Sequence, residues 1–241
     1  GNTAVVWRGG DSLHIDSNHF SGWGRVLWAD SLGNSSGLIF TANTITDYRA
    51  QGLLLQGVLE AEISFNWLKD ASFMYGGSTG FHLSECESVQ MYGNRLTGRL
   101  PSTAIGLIAP RGTQLAPHRI YNNEIAGYTL QEPFVTNFRL ISLEYSSTGA
   151  AQQLQIVHNT VRVNPMPGAS QMTNLLSIWG QLRGIDSLNI TNNLWVVDGV
   201  EPTNNGLIHQ YNGSSQGIGF YNNIYWTADS SRVFSRTNGL S

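Results

Sequence analysis

Among the side chains able to move protons or neutralise charge, five between positions 69 and 144 are the candidates for catalysis: Lys69, His82, Glu85, Arg99 and Glu144. A lysine or histidine beside an arginine or a bound cation can take a proton from carbon next to a carboxylate, because the cation stabilises the developing charge. Two carboxylates such as Glu85 and Glu144 can instead act as acid and base across a glycosidic bond, provided they stand about 5–9.5 Å apart. A second group is aromatic and polar: Trp179, Tyr75, Tyr92 and Tyr121, with Arg119 and His209. Aromatic faces stack on the apolar faces of pyranose rings, while amides and charged groups bond the hydroxyls.

These residues are scattered along the chain, so the elements that carry them decide which can meet. One phrase recurs eight times: apolar, any, apolar, any, any, Asn, any, apolar. It reads LHIDSNHF at Leu13–Phe20, LIFTANTI at Leu38–Ile45, AEISFNWL at Ala61–Leu68 and VQMYGNRL at Val89–Leu96. It returns as HRIYNNEI at His118–Ile125, LQIVHNTV at Leu154–Val161, LNITNNLW at Leu188–Trp195 and IGFYNNIY at Ile218–Tyr225. The steps between successive asparagines run from 23 residues (43 to 66) to 36 (123 to 159). A fixed phrase with a variable remainder marks a solenoid, each repeat being one coil whose loops differ in length. Period-2 apolar spacing on both sides of the Asn predicts strands. The Asn between them tolerates a left-handed backbone, and its amide can bond its counterparts in a buried ladder.

A further apolar strand precedes each phrase, as at Val5–Trp7, Val26–Trp28, Leu53–Leu55, Phe81–Leu83, Ile141–Leu143, Leu176–Ile178 and Gly206–His209, and a very short one follows each Asn. Three strands per coil with an eightfold Asn bend resemble the right-handed parallel β-helix of the pectin-lyase-like families, over nearly the whole chain. That resemblance implies an all-β, right-handed solenoid of about eight coils, with the Asn bend between its second and third sheets. With coils about 4.8 Å apart, the seven steps from Asn18 to Asn223 predict a rod roughly 34 Å long. Residues 1–241 read as one β-helical domain. Both ends call for a cover, a flanking domain or a second subunit, because an open solenoid end exposes apolar side chains and a sheet edge.

Long connections after Leu68, Ile125, Val161 and Trp195 flank the first sheet and would wall a groove along it. Outward positions on that sheet place His82, Ser84, Ser142, Glu144, Ser177, Trp179 and His209 or Gln210 on one strip, with Glu85 and Tyr145 at its edge. Lys69, Tyr75 and Arg99 belong to the facing loops. On the second sheet Tyr92 and Tyr121 fall on adjacent coils beside Gln90 and Arg119. The first-sheet strip reads equally as an ordinary solvated sheet face, and the second-sheet strip reads as one before it reads as a sugar platform. The resemblance implies either a polysaccharide lyase, with Lys69, His82, Arg95 or Arg99 in the base and cation roles, or a glycoside hydrolase. Glu85 and Glu87 would then serve a lyase as Ca2+ ligands; otherwise no cofactor is expected. Glu85 and Glu144, two coils apart, would stand about 9.6 Å from one another by stacking. The chain departs from the polygalacturonase pattern in having no Asp-Asp pair. A non-catalytic adhesive rod, or a phage tailspike shaft that binds surface glycans, is the alternative.

Composition narrows the partners. A net charge of −3, with 12 Arg against one Lys, lacks the basic excess of a nucleic-acid binder. No run approaches 18 apolar residues, so no membrane-inserting helix is expected. The single Cys86 excludes an intrachain disulfide, and its acidic neighbours Glu85 and Glu87 disfavour a thiolate. Asp47 and Asp70, at equivalent positions on adjacent coils, suit either calcium or ion pairs with Arg49 and Lys69. The six histidines show no zinc spacing. The expectation is a secreted, cell-surface or virion-borne protein that degrades or binds an acidic polysaccharide.

Overall fold

The computed structural model describes residues 2–30, 35–72, 78–113, 115–129, 137–145, 152–165, 172–180, 185–198, 208–211, 217–227 and 234–237. Among them are 25 strands and no helix. The strands form three parallel sheets of nine, eight and eight members, and the chain visits the sheets in rotation, one strand each per coil. This is a right-handed parallel β-helix of about eight coils. Sheet 1 begins with Thr3–Trp7 and ends with Phe234–Thr237; sheet 2 carries the first half of each Asn phrase and sheet 3 the second. The strand Thr103–Ile108 supplies the fifth coil of sheet 1. Its Ala104 and Gly106 interrupt the apolar alternation that marks its neighbours, so it does not stand out in the sequence.

The core follows the phrase. Leu38, Val89, Leu154 and Leu188 form one buried row of sheet 2, and Ile15, Phe40, Ile63, Met91, Ile120, Ile156 and Ile190 the next. Ile45, Leu68, Leu96, Ile125, Val161 and Trp195 close the triangle from sheet 3, while Phe20 and Tyr225, in the two end coils, are half-buried. Paired along both edges with neighbouring coils and buried on their inner face, such strands stack apolar side chains coil on coil.

One member of the first row is polar. His118 is 2% exposed, in register with Val89 and Leu154. Its Nδ1 accepts the Val89 N–H at 3.3 Å and its Nε2 lies 2.7 Å from the Cys86 carbonyl oxygen. Since Nδ1 accepts, Nε2 carries the proton and donates it to Cys86. Burial holds this imidazole down at about 4. Burial also pushes the neighbouring Cys86 thiol up to about 12; Glu85 adds only the smallest contribution, so enclosure and not local acidity governs this thiol.

The asparagines do form a continuous ladder. Asn94 shows the unit: its Nδ2 donates to the Asn123 Oδ1 at 2.9 Å, to the Ile63 carbonyl at 2.8 Å and to the Tyr92 carbonyl at 3.1 Å. Its Oδ1 accepts both the backbone N–H and the Nδ2 of Asn66, at 3.0 and 2.9 Å. The pattern runs from Asn18 through Asn223.

The left-handed residue at each bend is, however, the one before the ladder Asn. Ser17, Ala42, Phe65, Gly93, Asn122, His158, Asn192 and Asn222 have φ between 52° and 64°. Two tasks are thus divided between neighbours. The first residue turns the chain and points outward, while the Asn points its amide inward. A left-handed Phe, Ala or His is strained, and the ladder bonds that follow hold it in place. Third-sheet strands are also longer than expected in the middle coils, at Arg95–Arg99, Glu124–Thr129 and Thr160–Pro165. There Gly98 and Gly127 let the strands pass closely: a Cβ on Gly127 would come within 2.2 Å of the Gly98 carbonyl oxygen.

Candidate functional site

Rotation of the chain through three sheets separates the proton-moving side chains. His82 lies on the outer face of sheet 1, in register with Gly106, which is in register with Ser142; Ser142 pairs in turn with Ser177 and Ser177 with His209. Glu144 is exposed on the same face, one outward row along, beside Ile108 and Trp179. Burial pulls the His82 imidazole below its usual value; Glu144 pulls it back up and Arg25 pushes it down. His82 and Glu144 therefore share one field.

The other three are placed elsewhere. Lys69 is on the outer face of sheet 3, in register with Thr46 and Thr97, with its ammonium 3.9 Å from the Asp70 carboxylate and 5.8 Å from the Trp67 ring. Glu85 sits in the left-handed corner after sheet 1, paired with Arg111 at 3.1 Å. Arg99 binds the Ala71 carbonyl through Nε and the Ser72 Oγ through Nη2 at 3.1 Å, and its N–H donates to Asp70 at 3.0 Å. It staples one corner to the next. Among the described residues no three His, Cys, Asp or Glu side chains converge as a metal site would require. Asp70 is taken up by Lys69 and the Arg99 backbone.

Trp179 is half-buried. The Arg139 guanidinium lies 4.0 Å from its ring centroid, and its Nε1 donates to the Ser177 Oγ. One indole face is thus occupied, and Ser177 beneath is fully enclosed. Tyr75 lies outside the described residues, and of His209 only the strand position is described.

Sheet 2 does bring its candidates together. Tyr92 and Tyr121 are in register, with ring centroids 5.0 Å apart and planes 14° from parallel. Phe65 packs edge-on against Tyr92 at 5.2 Å, and the Tyr92 hydroxyl donates to the Glu62 Oε1 at 2.5 Å, which raises that phenol above its ordinary value. Stacking covers one face of each tyrosine, so the pair is not the double platform its spacing suggests. Yet the stack ends at Tyr121, because the next residue in register is Val157. The shorter side chain leaves an open depression of about 280 Å³ lined by Arg119, Tyr121, Gln155, Val157 and His158. The Arg119 Nε donates to the Gln155 Oε1 at 3.1 Å, and the His158 Nε2 lies 2.9 Å from the Asn192 Nδ2.

His158 was not apparent from its spacing to other histidines. The signal that finds it is its place before a ladder Asn, the position that turns outward. The depression thus combines one open aromatic face, one guanidinium, an amide and an imidazole on a rigid sheet. Such a set can hold a ring with an apolar face and polar edges. No protein-family profile, curated protein or solved structure matches this chain.

Proposed function

We propose that this chain is a β-helical rod that binds polysaccharide through the outer face of sheet 2. The observation that carries the reading is the Tyr121 ring, stacked on one side and open on the other above Val157, with Arg119, Gln155 and His158 around it. A binding protein of this kind suits a secreted, cell-surface or virion setting, and the three-strand coil resembles the pectin-lyase-like architecture that many glycan-active proteins share.

Binding of a polysaccharide panel, followed by titration calorimetry, tests this. Tyr121→Ala weakens glycan binding about tenfold or more, as loss of a ring-stacking contact does, and leaves the melting temperature near wild type because the ring lies outside the core. Binding that survives Tyr121→Ala unchanged removes the reading.

One observation favours a catalytic alternative, a lyase or hydrolase. His82 and Glu144 share the outer face of sheet 1, with side-chain-free Gly106 next to His82. On that reading the same panel yields new reducing ends or unsaturated products, and Glu144→Gln abolishes them. A panel that gives no product leaves binding alone.

A further inference from the structure

We infer that the corner between sheets 1 and 2 in coils four and five is an acid-operated latch. The His118 imidazole holds it shut; a proton there opens it and exposes the Cys86 thiol while the rest of the rod stays folded. The latch is independent of what sheet 2 binds.

The repeat changes at this corner. Leu59, Glu87 and Arg111 stand in one bridged row across successive coils. Leu59 and Glu87 each lie two positions before the first letter of the phrase, at Ala61 and Val89, whereas Arg111 lies seven before His118. The additional residues form a turn closed by the Thr113 N–H on the Ala116 carbonyl at 3.1 Å and the Ala116 N–H on the Thr113 Oγ1 at 3.0 Å. Leu115 within it is fully exposed, so apolar packing does not hold the turn down. Side chains tie it to coil four. The Ser88 Oγ donates to the Ala116 carbonyl at 2.9 Å, the Gln90 Nε2 donates to the Pro117 carbonyl at 3.1 Å, and His118 bridges Val89 and Cys86.

Of these ties, His118 is the one that acid reverses. Its Nδ1 accepts a backbone N–H, and a protonated imidazole has no acceptor left. The added N–H would face the Val89 N–H inside the wall of the rod, where an unpaired charge is costly. The surrounding groups give no relief. Glu85 and Arg111 pair with one another at the surface, Arg119 points outward to Gln155, and the Cys86 thiol is neutral. Glu87, half-buried, completes the charged side chains of the two corners. The strand Gln152–Val157, packed on the other side, has no titratable side chain. Burial lowers the His118 value, and the Cys86 and Arg111 carbonyls raise it. Swinging the ring into water removes the conflict. Register between Gln90 and Arg119 and the Asn94–Asn123 bond lie beyond the corner and stay closed, so the opening is local.

Released into water, the imidazole returns from about 4 to its ordinary 6.5, so the opening equilibrium rises about tenfold per pH unit across that interval. Cys86 is the sole thiol, and its own carbonyl is the partner of His118, so it reports the latch directly. Labelling of the full chain with dithiodipyridine, normalised to glutathione at each pH, speeds up about fiftyfold from pH 7.5 to 4.5. Circular dichroism is unchanged over that range, and dilute urea barely alters the rate at pH 4.5 because little surface opens. His118→Gln keeps an acceptor for Val89 and a donor for Cys86 without a titrating group, and its rate changes by less than about threefold. Hydrogen exchange read by peptide mass spectrometry locates the event: Cys86–Val89 and Ala116–His118 lose protection in acid, while the strands around Asn94 and Asn123 keep it. A rise that persists in His118→Gln, labelling that accelerates with urea as steeply as global unfolding, or protection lost evenly along the rod overturns the inference.

Discussion

Asn94→Ala costs the rod about 4 kcal/mol, whereas Asn18→Ala, the same change at the same point of the phrase, costs less than about 1 kcal/mol. Asn94 is fully buried, and its removal leaves the Asn66 N–H and one of the two Asn66 Nδ2 protons unmet, the other staying on the Phe40 carbonyl, and takes one donor from the Ile63 carbonyl. Each enclosed polar group left unmade costs about 1–3 kcal/mol. Asn18 is exposed; its Nδ2 donates to the Asp16 carbonyl and the Asn43 Oδ1, and both it and Asp16 have access to water. A loss of about 4 kcal/mol is a large share of the 5–15 kcal/mol that holds an ordinary domain. Because each coil contacts only its neighbours, the break also divides the rod. Urea denaturation followed by circular dichroism then shows two transitions in place of one. Equal effects at the two positions, or a central loss below about 1 kcal/mol, would falsify the ladder as the source of stability.

Interior positions were legible in the sequence because stacking forces them to repeat. Every coil must present an apolar side chain at the sites of Ile63 and Leu68 and an amide at the site of Asn66, so eight copies of one phrase reveal the inner wall. Corners were half legible. The Asn was evident, but the left-handed residue before it ranges over Ser, Ala, Phe, Gly, Asn and His, and so leaves no signature. The outer faces follow no such rule, since nothing in the fold prescribes which residue points to solvent.

Glu85 and Arg99 illustrate the consequence for the site. Both have the side chains that acid–base chemistry needs, yet each is engaged in holding a corner, Glu85 with Arg111 and Arg99 with Ala71 and Ser72. Lys69 and His82 are 13 positions apart, and rotation through the coil places them on different sheets. Tyr92 and Tyr121 could be assigned to adjacent coils from spacing alone. That their rings would cover each other follows only from the register, and the open face of Tyr121 follows from Val157, a residue with no chemical interest of its own.

His118 presents the opposite case, a residue that reads as one more letter of the phrase and carries a large pH effect. Its folded-state value of about 4 lies below the ordinary 6.5 of an unfolded chain. Above pH 6.5 the imidazole is neutral in both states, and its contribution to stability is complete. As pH falls from 6.5 to 4 the unfolded chain takes up a proton that the folded chain refuses, so stability declines by about 1.4 kcal/mol per pH unit, about 3 kcal/mol in all. Below about pH 4 this residue contributes no further change. His82, shifted in the same direction by burial, adds to the decline in the same window. His118→Leu restores the apolar letter found at Leu154 and Leu188, and it leaves the Val89 N–H without its partner, while the Cys86 carbonyl keeps the Arg111 N–H. The variant is therefore less stable than wild type at pH 7.5, by about 1–3 kcal/mol, yet its stability is much flatter between pH 6.5 and 4.5. Urea midpoints measured across that range decide the matter. A decline in His118→Leu as steep as in wild type would assign the acid sensitivity to His82 or to the carboxylates instead, and would mean that His118 is protonated, or exposed, in the folded rod.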